Sequence, residues 1–279
     1  MNWREVKQQW KRELNAQEDP QEIDSWYHLF IEAEFGISRL DYLMRYEEDI
    51  PIPRQERLDE ALKLLKQDTP IQHITGRAYF MNQCFEVSPD VLIPRPETED
   101  LVLRMIRDIP LSAHVIDLGT GSGCIPISLK LNRPDLKISG LDISAKALEV
   151  AKRNAIELEA DVEWIHGAIK EKMTDLGTFD VMVSNPPYIP NSERSTMKRR
   201  VSGHEPDLAL FVPDEDPIRY YRWILENALR RPTVNYIYWE IHPPLRPALE
   251  KMCRDRGIQS VEVQKDRFDR DRIMILKTV

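Results

Sequence analysis

Cysteine is scarce in this 279-residue sequence and irregularly placed: Cys84, Cys124 and Cys253 stand apart, with no C-x-x-C spacing. Three scattered thiols support neither a disulfide framework nor a zinc site. They suit a reducing cytoplasm, where the chain is expected to work. No His, Cys, Asp or Glu set falls at ligand spacing, so no metal is expected. No apolar run reaches the roughly 18 residues that a membrane-spanning helix requires, and no signal peptide opens the chain. A soluble protein without a membrane partner is expected. Positive charge is also short: 39 Lys and Arg against 47 Asp and Glu leave a formal net charge of −8. Gripping nucleic acid through phosphates calls for a basic face, so the balance argues against stable nucleic-acid binding. One local run, Lys198, Arg199 and Arg200, reads either as a solvated loop or as a contact for an acidic or RNA-bound partner. Repeats and low-complexity tracts are absent.

Glycine is limited to ten residues, which makes its clustering informative. Three of the ten fall in Asp117-Leu118-Gly119-Thr120-Gly121-Ser122-Gly123. This stretch follows a short apolar strand, His114-Val115-Ile116, and precedes a helix start at Cys124-Ile125-Pro126. Strand, glycine loop, helix is the layout of a nucleotide-binding first turn, in which glycines let the backbone approach a ligand. The spacing is G-x-G-x-G. The G-x-G-x-x-G of dinucleotide enzymes is missing, which favours a ligand without a pyrophosphate and counts against a dehydrogenase. Cys124 beside the loop has no base near it in sequence and reads as packing. The next strand, Ile138-Ser139-Gly140-Leu141-Asp142, ends in an acid about 20 residues beyond the loop, where a carboxylate would take both ribose hydroxyls. Asp142 could also cap the helix that follows, although Ser144 is the better cap candidate.

A third stretch, Asn185-Pro186-Pro187-Tyr188, follows the apolar run Phe179-Asp180-Val181-Met182-Val183-Ser184, which reads as a buried strand. It therefore sits at a strand's carboxyl end, where open α/β sheets hold ligands. A residue before proline is driven out of the helical region, and prolines have no N–H. The turn is stiff and presents acceptors, the Asn185 side-chain oxygen and the Pro186 carbonyl. Such a site suits a planar NH2 group, with Tyr188 as a flat face for it to pack on.

Together, the glycine loop, Asp142 and Asn185-Pro186-Pro187-Tyr188 resemble the class I S-adenosylmethionine-dependent methyltransferases that act on an amino or amide nitrogen. Four further stretches narrow the resemblance: Pro70-Ile71-Gln72-His73-Ile74-Thr75-Gly76, Leu92-Ile93-Pro94-Arg95-Pro96-Glu97-Thr98-Glu99, Glu205-Pro206-Asp207-Leu208-Ala209-Leu210 and Lys265-Asp266-Arg267-Phe268-Asp269-Arg270-Asp271-Arg272. From Pro70 onward the chain is similar to the protein-(glutamine-N5) methyltransferases of peptide chain release factors, the PrmC/HemK family. Asn-Pro-Pro-Tyr is shared with DNA-adenine and rRNA enzymes; the Ile-Pro-Arg-Pro-Glu-Thr-Glu block is the specific part.

The resemblance implies S-adenosyl-L-methionine as cofactor, bound by Asp117, Gly119, Thr120, Gly121, Ser122, Gly123, Asp142 and Asn185. It implies Asn185, Pro186 and Tyr188 as catalytic residues, with Asn185, Pro186, Pro187 and Tyr188 binding substrate. The substrate would be the glutamine of the Gly-Gly-Gln motif of class I release factors, methylated by a monomer on its amide nitrogen. An enzyme methylating an exocyclic amine of rRNA or DNA is the alternative, and a cofactor-binding scaffold without catalysis is a third reading. One departure stands out. The third strand, Val162-Glu163-Trp164-Ile165-His166, runs into Gly167-Ala168-Ile169, where the family often carries an acid and an aromatic near the adenine. Ala168 has no carboxylate to offer, so packing and backbone groups would hold that ring.

The expected fold is α/β, a Rossmann-like class I methyltransferase domain over residues 95–279 with a seven-stranded, mostly parallel sheet. Strands are expected at 114–118, 138–142, 162–166, 179–184, 234–240, 260–265 and 272–277, and helices near 97–108, 124–131, 145–158, 216–230 and 245–256. The last strand, close behind its predecessor, should be antiparallel. Residues 1–75 show helical stripes, among them Trp3, Val6, Trp10 and Leu14, and read as a small bundle that by resemblance docks the protein substrate. Residues 76–94 read as a β-hairpin linker that turns at Asn82-Gln83.

Overall fold

The structure, a computed structural model, describes residues 1–172 and 177–278. Its contacts divide the chain into two units, Met1–Arg77 with Lys198–His204, and Ala78–Met197 with Glu205–Val279. The first unit holds helices α1 (Trp3–Leu14), α2 (Pro20–Phe35), α3 (Arg39–Arg45), α4 (Ile52–Lys66) and α5 (Ile71–Thr75). The first three begin where a side chain satisfies orphan amides, whereas α4 and α5 follow Pro51 and Pro70 without a side-chain cap. Asn2 and Ser38 form capping boxes with Glu5 and Asp41, and Asp19 accepts from the Gln21 amide ahead of a proline at the first helical position. The stripe Trp3, Val6, Trp10 and Leu14 is buried against Ile23, Tyr27, Phe30 and Leu58, and the Trp10 and Tyr27 rings meet edge to face at 5.3 Å. Lys198–His204 joins this unit from far along the chain. Lys198 and Arg200 both reach Glu18, and the Arg200 guanidinium lies 4.1 Å over the Trp26 ring. Two of the three cations of the basic run are thus paired inside its own unit, although the Lys198 side chain stays 70% exposed.

A hairpin of β1 (Arg77–Phe80) and β2 (Gln83–Glu86) follows, with all but its first residue, Arg77, in the second unit. Its turn is Met81-Asn82, not Asn82-Gln83 as the sequence suggests. Both residues take positive φ, 50° and 60°, as a type I′ turn demands. The shift has a tertiary cause: the Met81 amide donates to Glu99 Oε1 at 2.8 Å.

The seven-stranded sheet runs β5 (Glu163–His166), β4 (Lys137–Asp142), β3 (His114–Leu118), β6 (Val181–Ser184), β9 (Tyr236–Glu240), β11 (Asp271–Lys277), β10 (Ser260–Lys265). Neighbours from β5 to β9 pair in parallel, while β11 is antiparallel to both β9 and β10. A separate short pair, β7 (Ile189–Pro190) with β8 (Phe211–Val212), follows the Asn-Pro-Pro-Tyr turn and gives no signal in the sequence. Helices α6 (Pro96–Asp108), α7 (Cys124–Asn132), α8 (Ala145–Glu157), α9 (Ile169–Lys172), α11 (Asp207–Leu210), α12 (Arg219–Leu229) and α13 (Arg246–Asp255) complete this unit; α10 (Arg199–Ser202) lies in the first.

Strand residues alternate between two cores. Ile116, Leu118, Met182, Ile237 and Trp239 pack with Tyr221 and Leu225 of α12 and Leu249 of α13. Val115, Val181, Val183 and Tyr238 pack with Leu101 and Met105 of α6 and Ile127 of α7. A period of two feeding two apolar faces is what a doubly wound sheet requires.

Gly140 sits inside β4, where glycine is ordinarily a weakness worth about 0.5–1 kcal/mol. Here a Cβ would stand 2.6 Å from Trp164 Cζ3 and 3.0 Å from Thr120 Oγ1. The overlap reverses the usual sign. Gly140→Ala should destabilise by about 1–3 kcal/mol, read from denaturant midpoints at unchanged slope, whereas a stabilised variant would show that Trp164 yields freely.

Candidate active site

The parallel strands end on one edge, and the register sets which residues meet there. Leu118 pairs with Leu141, so Gly119 leaves β3 beside Asp142 at the end of β4. Ser184 pairs with Trp239, so Asn185 leaves β6 beside Glu240 at the end of β9. Gly119, Gly121 and Gly123 all take positive φ, 83°, 56° and 80°. The turn is pinned by the Gly119 and Thr120 amides, which both donate to the Leu141 carbonyl. Gly123 has a second reason to be glycine, because a Cβ would approach Trp164 to 2.9 Å.

Asp142 ties this loop to the next helix. Its Oδ2 accepts from the Gly121 amide and its Oδ1 from the Ser144 amide, both at 2.9 Å. Ser144 is the helix cap, accepting from the Ala147 amide. Each Asp142 oxygen keeps a further lone pair. Burial raises its pKa above the ordinary carboxylate range, partly offset by those amide donors.

These segments surround a cavity of about 330 Å³ in the second unit, a size suited to a small-molecule cofactor. Gly119, Thr120, Gly121, Ser122, Asp142, Asn185 and Pro187 line it; Asp117, Gly123, Pro186 and Tyr188 do not. Ala168 lines it too, with Tyr220 and Trp223 bringing aromatic surface to the wall. Cys124 also lines the cavity, but burial pushes its thiol up to about 12, which leaves it without nucleophilic character. Among the described residues, no group of three His, Cys, Asp or Glu could hold a metal ion.

The loop carries unspent polar groups. Both carboxylate oxygens of fully buried Asp117 and the hydroxyls of Thr120 and Ser122 lack a hydrogen-bond partner among the described residues. Buried polar groups without partners are expensive, and a polar ligand with donors would relieve them. Desolvation pushes Asp117 up to about 7, against the neighbouring Thr120 hydroxyl, which favours the ionised form.

Asn185 and Tyr188 are held by residues that the sequence reading left out of the site. Asn185 Nδ2 donates to Thr98 Oγ1 at 3.3 Å, and Thr98 Oγ1 donates to Glu240 Oε2 at 2.6 Å. The Tyr188 hydroxyl donates to Glu240 Oε1 at 3.3 Å, and its ring stacks on His242 with centroids 5.7 Å apart. Glu240 was findable: it is a lone acid closing an apolar strand, the same signal that marked Asp142. Glu205 is a structural partner, accepting from the Ile93 amide and pairing with Arg95, whereas His204 reaches the Gln67 carbonyl in the first unit.

A glycine loop after the first parallel strand, an acid ending the second and Asn-Pro-Pro-Tyr ending the fourth, on a 3-2-1-4-5-7-6 sheet, define a class I S-adenosylmethionine-dependent methyltransferase. Residues 97–201 match the family model described as methyltransferase small domain, and residues 5–76 match the PrmC N-terminal domain. The release factor glutamine methyltransferase of Bacteroides thetaiotaomicron is 39% identical over 258 residues, covering 91% of this chain and 92% of that one. Its counterpart in Flavobacterium psychrophilum is 35% identical over 262 residues, with 92% of each covered. Among solved structures, a methyltransferase from Pyrococcus furiosus shares the fold at TM-score 0.53 and 17% identity, covering 81% of this chain and 98% of that one. The chain belongs to the release factor glutamine methyltransferase family.

Asp117 supports a stability test without ligand. The unfolded carboxyl ionises near 3.9, the folded one at about 7. Between these values the folded state binds the extra proton, so stability falls as pH rises through the window and levels off above it. The loss should be on the order of 1–4 kcal/mol. Asp117→Asn should abolish this slope in denaturation series run from pH 4.5 to pH 8; an unchanged slope would assign the proton elsewhere.

Proposed function

We propose that this enzyme transfers the methyl group of S-adenosyl-L-methionine to the amide nitrogen of the glutamine in the Gly-Gly-Gln motif of class I release factors. One observation carries the reading: Asn185 and Pro187 of the acceptor-rich turn line the same cavity as the glycine loop and Asp142, in a chain of this family. When bound, the cofactor supplies a methyl group already activated by a sulfonium charge.

The chain's own residues do the rest. Gly119, Thr120, Gly121 and Ser122 form the cradle, and the Thr120 and Ser122 hydroxyls, unpartnered among the described residues, suit a zwitterionic amino-acid end; Gly123 and fully buried Asp117 would support the loop without lining the cavity. The free lone pairs of Asp142 would accept from ribose hydroxyls. Ala168 offers the adenine packing only, and Tyr220 and Trp223 add aromatic surface to the same cavity. An amide lone pair is delocalised into its carbonyl, which makes the nitrogen a weak nucleophile. Asn185 Oδ1 and the Pro186 carbonyl would accept both amide hydrogens, orient the nitrogen and stabilise positive charge growing on it. Pro187 keeps the turn stiff, and Tyr188, anchored on Glu240 and His242, would hold the substrate side of the motif. The proton leaves after attack, so no strong base is required.

The helical unit would serve protein docking; Leu40, Leu43 and Met44 of α3 are 70%, 62% and 77% exposed. The enzyme would act as a cytoplasmic monomer.

Mass spectrometry of a recombinant release factor incubated with enzyme and cofactor should show one added methyl on that glutamine. Label appearing in rRNA or duplex DNA, with none in release factor, would reject the substrate. Asp142→Ala should weaken cofactor binding by about 10- to 100-fold in calorimetry. Asn185→Ala should lower kcat by about 10²–10³ with little change in cofactor affinity; an effect confined to cofactor affinity would remove the catalytic role.

A further inference from the structure

Asn185 can serve as an acceptor only if its side-chain oxygen, and not its nitrogen, faces the substrate. The two ends of an amide side chain have nearly the same shape, so packing alone does not choose between them. We propose that Glu240 is a positioning residue which, through Thr98, holds the Asn185 amide nitrogen turned into the protein and leaves the oxygen free for the incoming amide. This rests on the acceptor role given to Asn185 above.

The direction of every proton in the chain follows from one carboxylate. Ionised Glu240 has no hydrogen to give and accepts only. It is 2% exposed, so its bonds are made inside the protein. Oε2 lies 2.6 Å from Thr98 Oγ1, a distance typical of a hydroxyl donating to a carboxylate. That bond uses the single Thr98 hydrogen. Thr98 Oγ1 then has only lone pairs left, and the group 3.3 Å away must donate to it, which is Asn185 Nδ2. Oε1 takes the Tyr188 hydroxyl, so both ends of Asn185-Pro186-Pro187-Tyr188 hang from one acid. The acid itself is anchored, because the Tyr221 hydroxyl donates to its main-chain carbonyl at 2.9 Å.

Protonation would undo this order. A neutral Glu240 could donate to Thr98, freeing the threonine hydrogen to turn on Asn185 Oδ1 and reverse the amide. Desolvation raises the Glu240 pKa, while the Thr98 and Tyr188 hydroxyls and the Arg272 guanidinium lower it and Glu97 raises it further. Tyr221 and Cys124 feel the same charge, and the half-buried His242 follows Glu240 in sequence by two residues. The sign is therefore fixed: at saturating cofactor, kcat should be full at high pH and lost as pH falls through a value above the ordinary glutamate range.

Four variants test this in the full-length enzyme, read by initial rate of release factor methylation, calorimetric cofactor affinity and thermal midpoint. Thr98→Val, which keeps shape and removes the relay, should lower kcat about 30-fold or more with cofactor affinity within about threefold. Thr98→Ser should restore most of the rate. Glu240→Leu should behave like Thr98→Val. Glu240→Gln, which retains one acceptor and cannot titrate, should lose the acidic limb of the kcat profile.

Independently of turnover, the Asn185 side-chain amide protons, assigned by their disappearance in Asn185→Ala, should exchange with solvent at least about tenfold faster in Thr98→Val. Wild-type rates in Thr98→Val, or an acidic limb unchanged in Glu240→Gln, would overturn the proposal. A wild-type enzyme that leaves release factor unmethylated would instead reject the functional reading, and the exchange measurement would still decide whether Glu240 and Thr98 hold the amide.

Discussion

The register of the parallel strands is the constraint on which this site depends. β3 runs between β4 and β6, with Asp117 opposite Gly140 on one side and Val183 on the other. The sheet continues from β6 to β9 through Val183 opposite Tyr238. Strands held in this register finish together, so the residues just beyond them share one edge. Gly119, Asp142, Asn185 and Glu240 come from four strands separated by long crossovers, and none is near another in sequence except by this pairing. A slip of one residue would exchange every inward and outward side chain, sending Leu118 and Trp239 to the opposite core. The burial pattern thus protects the edge that lines the cavity, although most of the residues that set it lie in the two cores.

Two buried acids divide the work at that edge by their surroundings. Asp142 accepts two backbone amides, which locks the glycine loop to the start of α8. Glu240 accepts two side-chain hydroxyls, which fixes the Asn-Pro-Pro-Tyr turn. Both sit where desolvation favours the neutral form and hydrogen bonds favour the ionised one. Asp117, whose carboxylate has no hydrogen-bond partner among the described residues, is pushed furthest. Such unspent polarity costs stability in the ligand-free chain and is the usual mark of a site built for something else to bind.

Some of this was legible in the sequence. Alternation of short apolar strands with amphipathic helices specified the sheet class, because strands buried on both faces and helices buried on one have different periods. The glycine loop, Asp142 and Asn185-Pro186-Pro187-Tyr188 were legible for the same local reason: a positive φ, a strand-ending acid and a proline turn are written in adjacent residues. The antiparallel last strand followed from the short link between Lys265 and Asp271.

Long-range bonds were not legible. The hairpin turn falls on Met81-Asn82 because Glu99, 18 residues away, takes the Met81 amide. The basic run at Lys198 and Arg200 meets Glu18, and Glu205 meets Arg95. Thr98 stood in a block already singled out, yet its use depends on Glu240, 142 residues later. Backbone conformation and hydrophobic period are local properties, so the chain alone determined its elements, its loop and its acceptor turn. Which hydroxyl meets which carboxylate depends on how strands register and helices pack, and only the tertiary structure decided that.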